Sequence, residues 1–596
     1  MSKSTLANLE TLRKEMRSNH VNAVIIPGTD AHQSEYVSAH WKMRDWISGF
    51  TGSNGTAVVT LDDARLWTDS RYFLQATEQL QDSGFVMMKE DVPGEPTIME
   101  WLASTLNEGD VLAIDGTLFS ISKANALEEF CGINGFRFVP DFAPFNKIWT
   151  ERPQRPQGIV YIHDEKYAGE SVTSKISRIM TEVHNAGADC ILLPALDEIA
   201  WSFNIRCDDV TFTPVAISFA FLSDNQRVLF IDNSKLTPDV KQHLASANIE
   251  IMPYEAVGKF LSSLKDYESI LIDPTLVNDT LGQAIELPKV YAKSPVVAIK
   301  AIKNNIQIEG TRNAMQRDGV ALVRTFMWIE DMLKSGNTID EVDVWEKGKE
   351  MRAKSELYRG DSFGMIAGYK AHGAIVHYNA TEESKYTLAP EGLLLIDSGA
   401  QYLDGTTDIT RTITLGNPTL DEIHDYTLVL KGHIALGSQI FPEGTRGAQL
   451  DALARQFIWN SGKTYLHGTG HGVGHFLGVH EGPQNIRLNE NPALLRPGMI
   501  TSDEPGVYIA GKYGIRIENL TLVVEAFENE EFGKFYKFET LTLFPYDNKL
   551  IDVNMLSQDE IDWINAYHDK VFALLSPSLN ADEQTWLKEK TVHLSK

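Results

Sequence analysis

EGLLLIDSGAQYLDGTTDITRTITLG, residues 391 to 416, is the stretch on which the reading of the fold turns. Its apolar run, Leu393 to Ile396, ends on Asp397, and Asp404-Gly405 is a strong turn signal. Beyond the turn, TDITRTIT alternates, which places Asp408, Thr410 and Thr412 on one face of a strand and Ile409 and Ile413 on the other. The segment reads as two strands joined by a turn around Asp404-Gly405, which brings the carboxylates of Asp397 and Asp408 near one another. Without a counter-charge such a pair repels or holds a proton.

GMITSDEPGVYIAGKYGIRIENLTLVVE (498 to 525) has a similar build. Glu504 ends one strand just before Pro505-Gly506, and Glu518 is expected within a second strand, GIRIENLTLVV. Any one of these acids alone is an ordinary solvated turn residue. Four of them, each ending or embedded in an apolar strand, require at least two divalent cations for compensation.

Nearby lies HGTGHGVGHFLGVHEGP (467 to 483). His467, His471 and His475 recur every four residues, the spacing of one helix face. The four glycines between and around them argue against a helix, because each costs about 1 kcal/mol relative to Ala in a helix interior. The segment is expected to be a strand or loop whose backbone is closely approached, with at most one or two of its histidines on one ion. Three other motifs fail. VHEGPQ begins like HExxH, but Gln484 stands where the second His belongs and Pro483 breaks the required helix. The glycines fit no GxGxxG register. GDSFG (360 to 364) matches the nucleophile elbow around Ser362, yet the preceding RAKSELYR is charged, not a buried strand.

The rest of the chain frames this cluster. At 596 residues it exceeds one ordinary core. A helical stretch leading into NAVIIPGTD (22 to 30), then the sheet-like TAVVTLDDARLWTDSRY (56 to 72), recurs as a helical stretch leading into ADCILLPALDEIAW (188 to 201), then AISFAFLSDNQRVLFIDNSK (216 to 235). Two related α/β domains follow, joined by the Pro-bearing ERPQRPQ (151 to 157), with a second boundary near SPVVAIKAIKNN (294 to 305). The expected domains are 1–152, 153–304 and 305–596. The net charge of −27 repels polyanions and argues against nucleic acid as a partner. Three cysteines make neither a disulfide framework nor a metal knuckle. With a charged N-terminus and no long apolar run, the expectation is a cytoplasmic protein with no membrane partner.

The ordered set Asp397, Asp408, His471, Glu504, Glu518, embedded in IDSGAQY, TDITRT, GTGHGVGH, SDEPGVY and GIRIEN, resembles the dinuclear site of the pita-bread metallopeptidases, which include methionine aminopeptidase, prolidase and aminopeptidase P. DAHQSEY (30 to 36), WISGFTGSNGTAVV (46 to 59), WTDSRYFLQA (67 to 76) and ALDEIAWSFNIR (195 to 206) resemble the two leading domains of the long, cytosolic form of aminopeptidase P. The resemblance implies an α/β (α+β) chain with two creatinase-like domains ahead of a pita-bread catalytic domain. It implies release of an N-terminal residue ahead of proline by a hydroxide shared between two ions, with prolidase and a metal-free peptide-binding scaffold as the alternatives.

Asp397 would chelate one ion and His471 and Glu504 the other, with Asp408 and Glu518 bridging. Oxygen-rich ligation with one imidazole favours manganese over zinc. The resemblance further makes Glu504 the proton shuttle, His377 and His480 donors to the oxyanion, and His467 part of the proline pocket. It has Arg71 reaching a neighbouring active site across a homodimer, with a surface salt bridge as the alternative. Arg516, two residues before Glu518, is expected on the same strand face, bonded to the site carboxylates. His475 receives no role.

Overall fold

Ala23–Pro27 and Cys190–Leu193 are buried along their whole length, as short apolar runs bounded by proline suggest. In this computed structural model, which describes residues 2–596, each is an inner strand of a six-stranded mixed sheet. The first sheet runs Val86–Lys89, Ala64–Thr68, Thr56–Thr60, Ala23–Pro27, Val111–Ala113, Arg137–Val139. The second runs Glu250–Met252, Arg227–Phe230, Phe219–Ser223, Cys190–Leu193, Ile270–Ile272, Lys289–Tyr291. Parallel and antiparallel pairings follow the same order in both, so the repeat seen in sequence is a repeat of topology. Helices Ser2–Ser18 and Val172–Asn185 precede the corresponding strands. Both sheets belong to one unit, which reaches Glu165 and resumes over Glu170–Ile299.

The other unit comprises Lys166–Gly169 and Lys300–Lys596. It opens with the 30-residue helix Asn305–Lys334, started by a reciprocal cap between Asn304 and Gln307. A six-stranded antiparallel sheet runs Ile440–Pro442, Gly533–Thr540, Asn519–Asn529, Ile500–Asp503, Gly470–Gly472, Glu481–Ile486. A three-stranded antiparallel sheet runs Ile366–Tyr369, Leu393–Ser398, Ile409–Thr414. Helices Leu420–Gly437 and Gln558–Leu575 pack with Asn305–Lys334 around a core that includes Phe326, Tyr426, Phe544, Ile564 and Tyr567. Burial of such side chains contributes about 1.5–3 kcal/mol each.

Two sequence expectations need correction. Residues 391–416 do not form one simple hairpin. Leu393–Ser398 and Ile409–Thr414 do pair, with Asp397 opposite Thr410. Between them the chain leaves this sheet, and Ala400–Tyr402 pairs both with Gly405–Thr406 and with Tyr358–Asp361. The departure point is Gly399, where a Cβ would lie 2.1 Å from both Ser362 Oγ and Thr407 O. The second correction concerns Glu518. It lies between strands Tyr513–Arg516 and Asn519–Asn529, because Ile517 and Glu518 turn their N–H groups to Pro505 O and Thr410 O.

Candidate metal centre

Four backbone segments converge on the carboxylates. Asp397 is the penultimate residue of its strand, Asp408 directly precedes Ile409–Thr414, and the Glu518 N–H donates to Thr410 O at 3.0 Å. Glu504 follows Ile500–Asp503 and donates its N–H to Thr469 O at 2.7 Å. The glycine segment is a strand at its centre, Gly470–Gly472. A Cβ on Gly470 would meet Ser502 O at 2.0 Å, and one on Gly472 would meet Glu481 O at 2.3 Å. The glycines thus serve close strand packing, and that packing sets His471 against the acidic strand.

His471 Nδ1 contacts Gly472 O at 2.9 Å. A carbonyl only accepts, so the proton sits on Nδ1 and the Nε2 lone pair is left for a cation. Nε2 lies 3.4 Å from Glu504 Oε1 and 3.6 Å from Asp408 Oδ2. Asp408, His471 and Glu518 each offer a ligand atom within 4.8 Å of the others. Thr410 Oγ1 donates to Glu518 Oε2 at 2.8 Å, and Ser502 Oγ donates to Glu504 Oε1 at 3.2 Å. Arg516 is a forked tie: Nη2 to Asp397 Oδ2 at 2.6 Å, Nε to Thr410 Oγ1 at 3.2 Å, Nη1 to Tyr508 OH at 2.7 Å. The bond from Arg516 to a site carboxylate is made, although residue 516 ends its strand and Glu518 belongs to none.

The electrostatics leave these carboxylates to be neutralised by protons or by cations. Burial, then repulsion from Asp397 and Glu504, pushes the Asp408 carboxyl well above its usual range. Glu518 moves the same way through burial and repulsion from Asp408, Asp397 and Glu504. Burial raises Glu504 to about 7, even though Arg516 pulls it down. For Arg516, burial opposes the charge, but Tyr508, Asp397 and Glu504 outweigh it and hold the guanidinium charged. Asp397 Oδ1 and Glu518 Oε1 are buried with no hydrogen-bond partner. A buried carboxylate oxygen without a donor is costly, and a donor set of carboxylates with one imidazole suits hard divalent ions. The residues fit such ions.

The other singled-out residues are placed as follows. His467 Nδ1 contacts Gly468 O at 2.8 Å, so its Nε2 accepts from Tyr508 OH, also at 2.8 Å. Burial raises the Tyr508 hydroxyl to about 12, which keeps it a donor. The His480 ring meets that of His471 edge-on at 4.4 Å. His377 is half-buried and follows Val376, whose carbonyl accepts from Arg516 Nη2 at 3.3 Å. His475 is buried, its Nε2 3.2 Å from Tyr167 O. Arg71 belongs to the other unit, where it makes a two-point bond to Asp69 at 2.9 and 2.7 Å. Ser362 is fully buried and donates to Thr407 O at 2.9 Å, a structural bond instead of a nucleophile's setting.

The sequence reading missed Tyr508 and Arg411. Arg411, 2 % exposed, donates to Glu518 O at 2.6 Å and to Asn519 Oδ1 at 2.8 Å. Asp503, beside Glu504 in the chain, pairs instead with His433 at 3.1 Å. The alternation of TDITRTIT held a signal for Thr410; nothing local marks Tyr508.

Residues 309–525 match the model of metallopeptidase family M24, and 534–594 match its C-terminal region. Residues 8–140 and 151–307 match creatinase/prolidase N-terminal domains. Aminopeptidase P2 of Arabidopsis thaliana is 41% identical over 97% of this chain and 86% of its own length. The chain belongs to metallopeptidase family M24, in its aminopeptidase P branch. A probable Xaa-Pro aminopeptidase P of Aspergillus niger is 40% identical, with 99% of each chain covered. Among solved structures, an X-prolyl aminopeptidase from Caenorhabditis elegans, described as a cytosolic enzyme with a di-nuclear active site, matches this M24 chain with a TM-score of 0.96 and 34% identity over 99% of this chain and 100% of that one. With the family-model matches, this similarity bears out the fold class: two creatinase-type α/β domains and a pita-bread domain.

Proposed function

We propose that this chain is a dinuclear metallo-aminopeptidase that releases the N-terminal residue from peptides with proline at the second position. The observation that carries the reading is the pair of buried, partnerless oxygens, Asp397 Oδ1 and Glu518 Oε1, among carboxylates that burial and mutual repulsion push toward protonation. The names of full-length relatives at about 40% identity support the substrate class. Asp397 and its four partners Asp408, His471, Glu504 and Glu518 would hold two divalent cations, manganese by ligand chemistry. When bound, such ions lower the pKa of water and polarise a carbonyl.

The side chains supply the rest. Glu504 moves the proton from the attacking water to the departing amine. His377 and His480 donate to the carbonyl oxygen as it gains charge. His467, whose Nε2 is bonded to Tyr508 OH, lines the pocket for proline. Arg516 fixes Asp397, and Arg71 reaches a neighbouring site in a homodimer. The reading includes domains 1–152, 153–304 and 305–596, a cytoplasmic location, and no membrane or nucleic-acid partner. Among the described residues no helix is long and apolar enough to cross a membrane.

The test is metal analysis of the purified protein together with cleavage of Arg-Pro-Pro, Arg-Ala-Ala and Ala-Pro. Two ions per chain and selective release of Arg from Arg-Pro-Pro are expected. Cleavage of Ala-Pro alone makes it a prolidase; no cleavage of any peptide by the two-metal form leaves a scaffold.

A further inference from the structure

Glu341 opens helix Glu341–Arg352 behind its cap Asp340, and its side chain is fully buried. A buried carboxylate needs donors, and Glu341 takes all of those recorded from one stretch of chain. Oε1 accepts from Tyr369 N at 2.8 Å, and Oε2 accepts from Tyr378 OH at 2.9 Å and from Tyr386 N at 2.7 Å. His372 Nδ1 lies 2.9 Å from each oxygen. The His372 ring is stacked on Tyr386 at 3.5 Å and on Tyr378 at 4.2 Å. The end of the stretch is clipped to the same helix start, Leu388 N to Ile339 O at 2.9 Å and Lys385 to Asp340 at 2.8 Å.

Its other side is tied to the metal centre. Val376 O accepts from Arg516 Nη2 at 3.3 Å, the same nitrogen that holds Asp397. Gly373 lies so close to Gly514, two residues before Arg516, that a Cβ on Gly514 would be 1.6 Å from Gly373 O. The loop is suspended between a buried anion and the site's guanidinium, with His377 between the Val376 and Tyr378 tethers. We propose that Glu341, acting through His372 and Tyr378, is the positioning residue that sets where the His377 imidazole stands. The inference rests on the reading of His377 as a donor to the reacting carbonyl.

The test is a mutant cycle in the metal-loaded, full-length enzyme with Arg-Pro-Pro. Glu341→Gln is expected to lower kcat/KM by about 10–100-fold, the scale for groups one step behind the reacting ones. The loss falls in kcat, with KM and the metal count unchanged. Tyr378→Phe removes a single donor, provides a milder variant should Glu341→Gln fold poorly, and lowers kcat by a smaller factor. In a His377→Ala background the further loss from either substitution shrinks to within about twofold, because residues acting through one group are not additive. An equal loss in both backgrounds, an unchanged kcat, or a loss carried by fewer bound ions overturns the positioning role. A His377→Ala enzyme that retains full activity instead removes the donor reading itself.

Discussion

Replacing Arg516 by Met keeps most of the side chain's volume and deletes the guanidinium that holds the Asp397 carboxylate at 2.6 Å. The cost in metal-free protein follows from the attraction that is lost. Two unit charges about 4 Å apart at an effective dielectric of about 20 attract by about 4 kcal/mol. The unit containing Lys300–Lys596 has an unfolding entropy of about 0.6 kcal/mol/K at that length, so its Tm should fall by about 6 °C. With saturating manganese the cations hold Asp397, and less than half of the pH 7 loss should remain. Calorimetry of both proteins at pH 7, with chelator and with metal, measures both shifts. An equal drop with and without metal refutes the idea that Arg516 and the cations neutralise the same carboxylate.

Other consequences follow from the same geometry. Asp408 and Glu518 have folded pKa values raised above their unfolded ones, so folded chelated protein holds protons that the unfolded chain releases above about pH 4. Their contribution to its stability is therefore greatest at the acid end and falls with rising pH, by about 1.4 kcal/mol per pH unit for each proton held; urea midpoints of wild type and Asp408→Asn should show that part of the slope flatten in the variant. Gly470→Ala puts a methyl 2.0 Å from Ser502 O and should cost at least about 1–3 kcal/mol while displacing His471, seen as a lower denaturation midpoint and a weakened second metal. Ser362→Ala removes a bond to Thr407 O worth about 1 kcal/mol; peptidase activity should stay within about twofold, and a large loss would revive the nucleophile reading.

The parts of the fold legible in sequence were those with a local signature. The two related domains showed because Ala23–Pro27 and Cys190–Leu193 are buried on both faces and so carry unbroken apolar runs. The proposed metal ligands stood out because each acid ends or adjoins a strand whose pattern is plain, and the glycines of 468–474 argued against a helix. What stayed hidden depends on contacts distant in sequence. The excursion at Gly399 arises from Ser362, 37 positions away, and the break at Glu518 arises from a bond to Thr410. Tyr508 and Glu341 look like ordinary strand and helix residues until His467, Arg516 and the loop around His377 are in place around them.

The central claim is that Asp397, Asp408, His471, Glu504 and Glu518 together hold two ions. Anomalous diffraction from crystals grown with manganese tests it most directly. The account predicts two peaks enclosed by these five side chains, one of them adjoining Asp397 Oδ1. A single peak, peaks elsewhere, or carboxylates still hydrogen-bonded to one another through protons would contradict it.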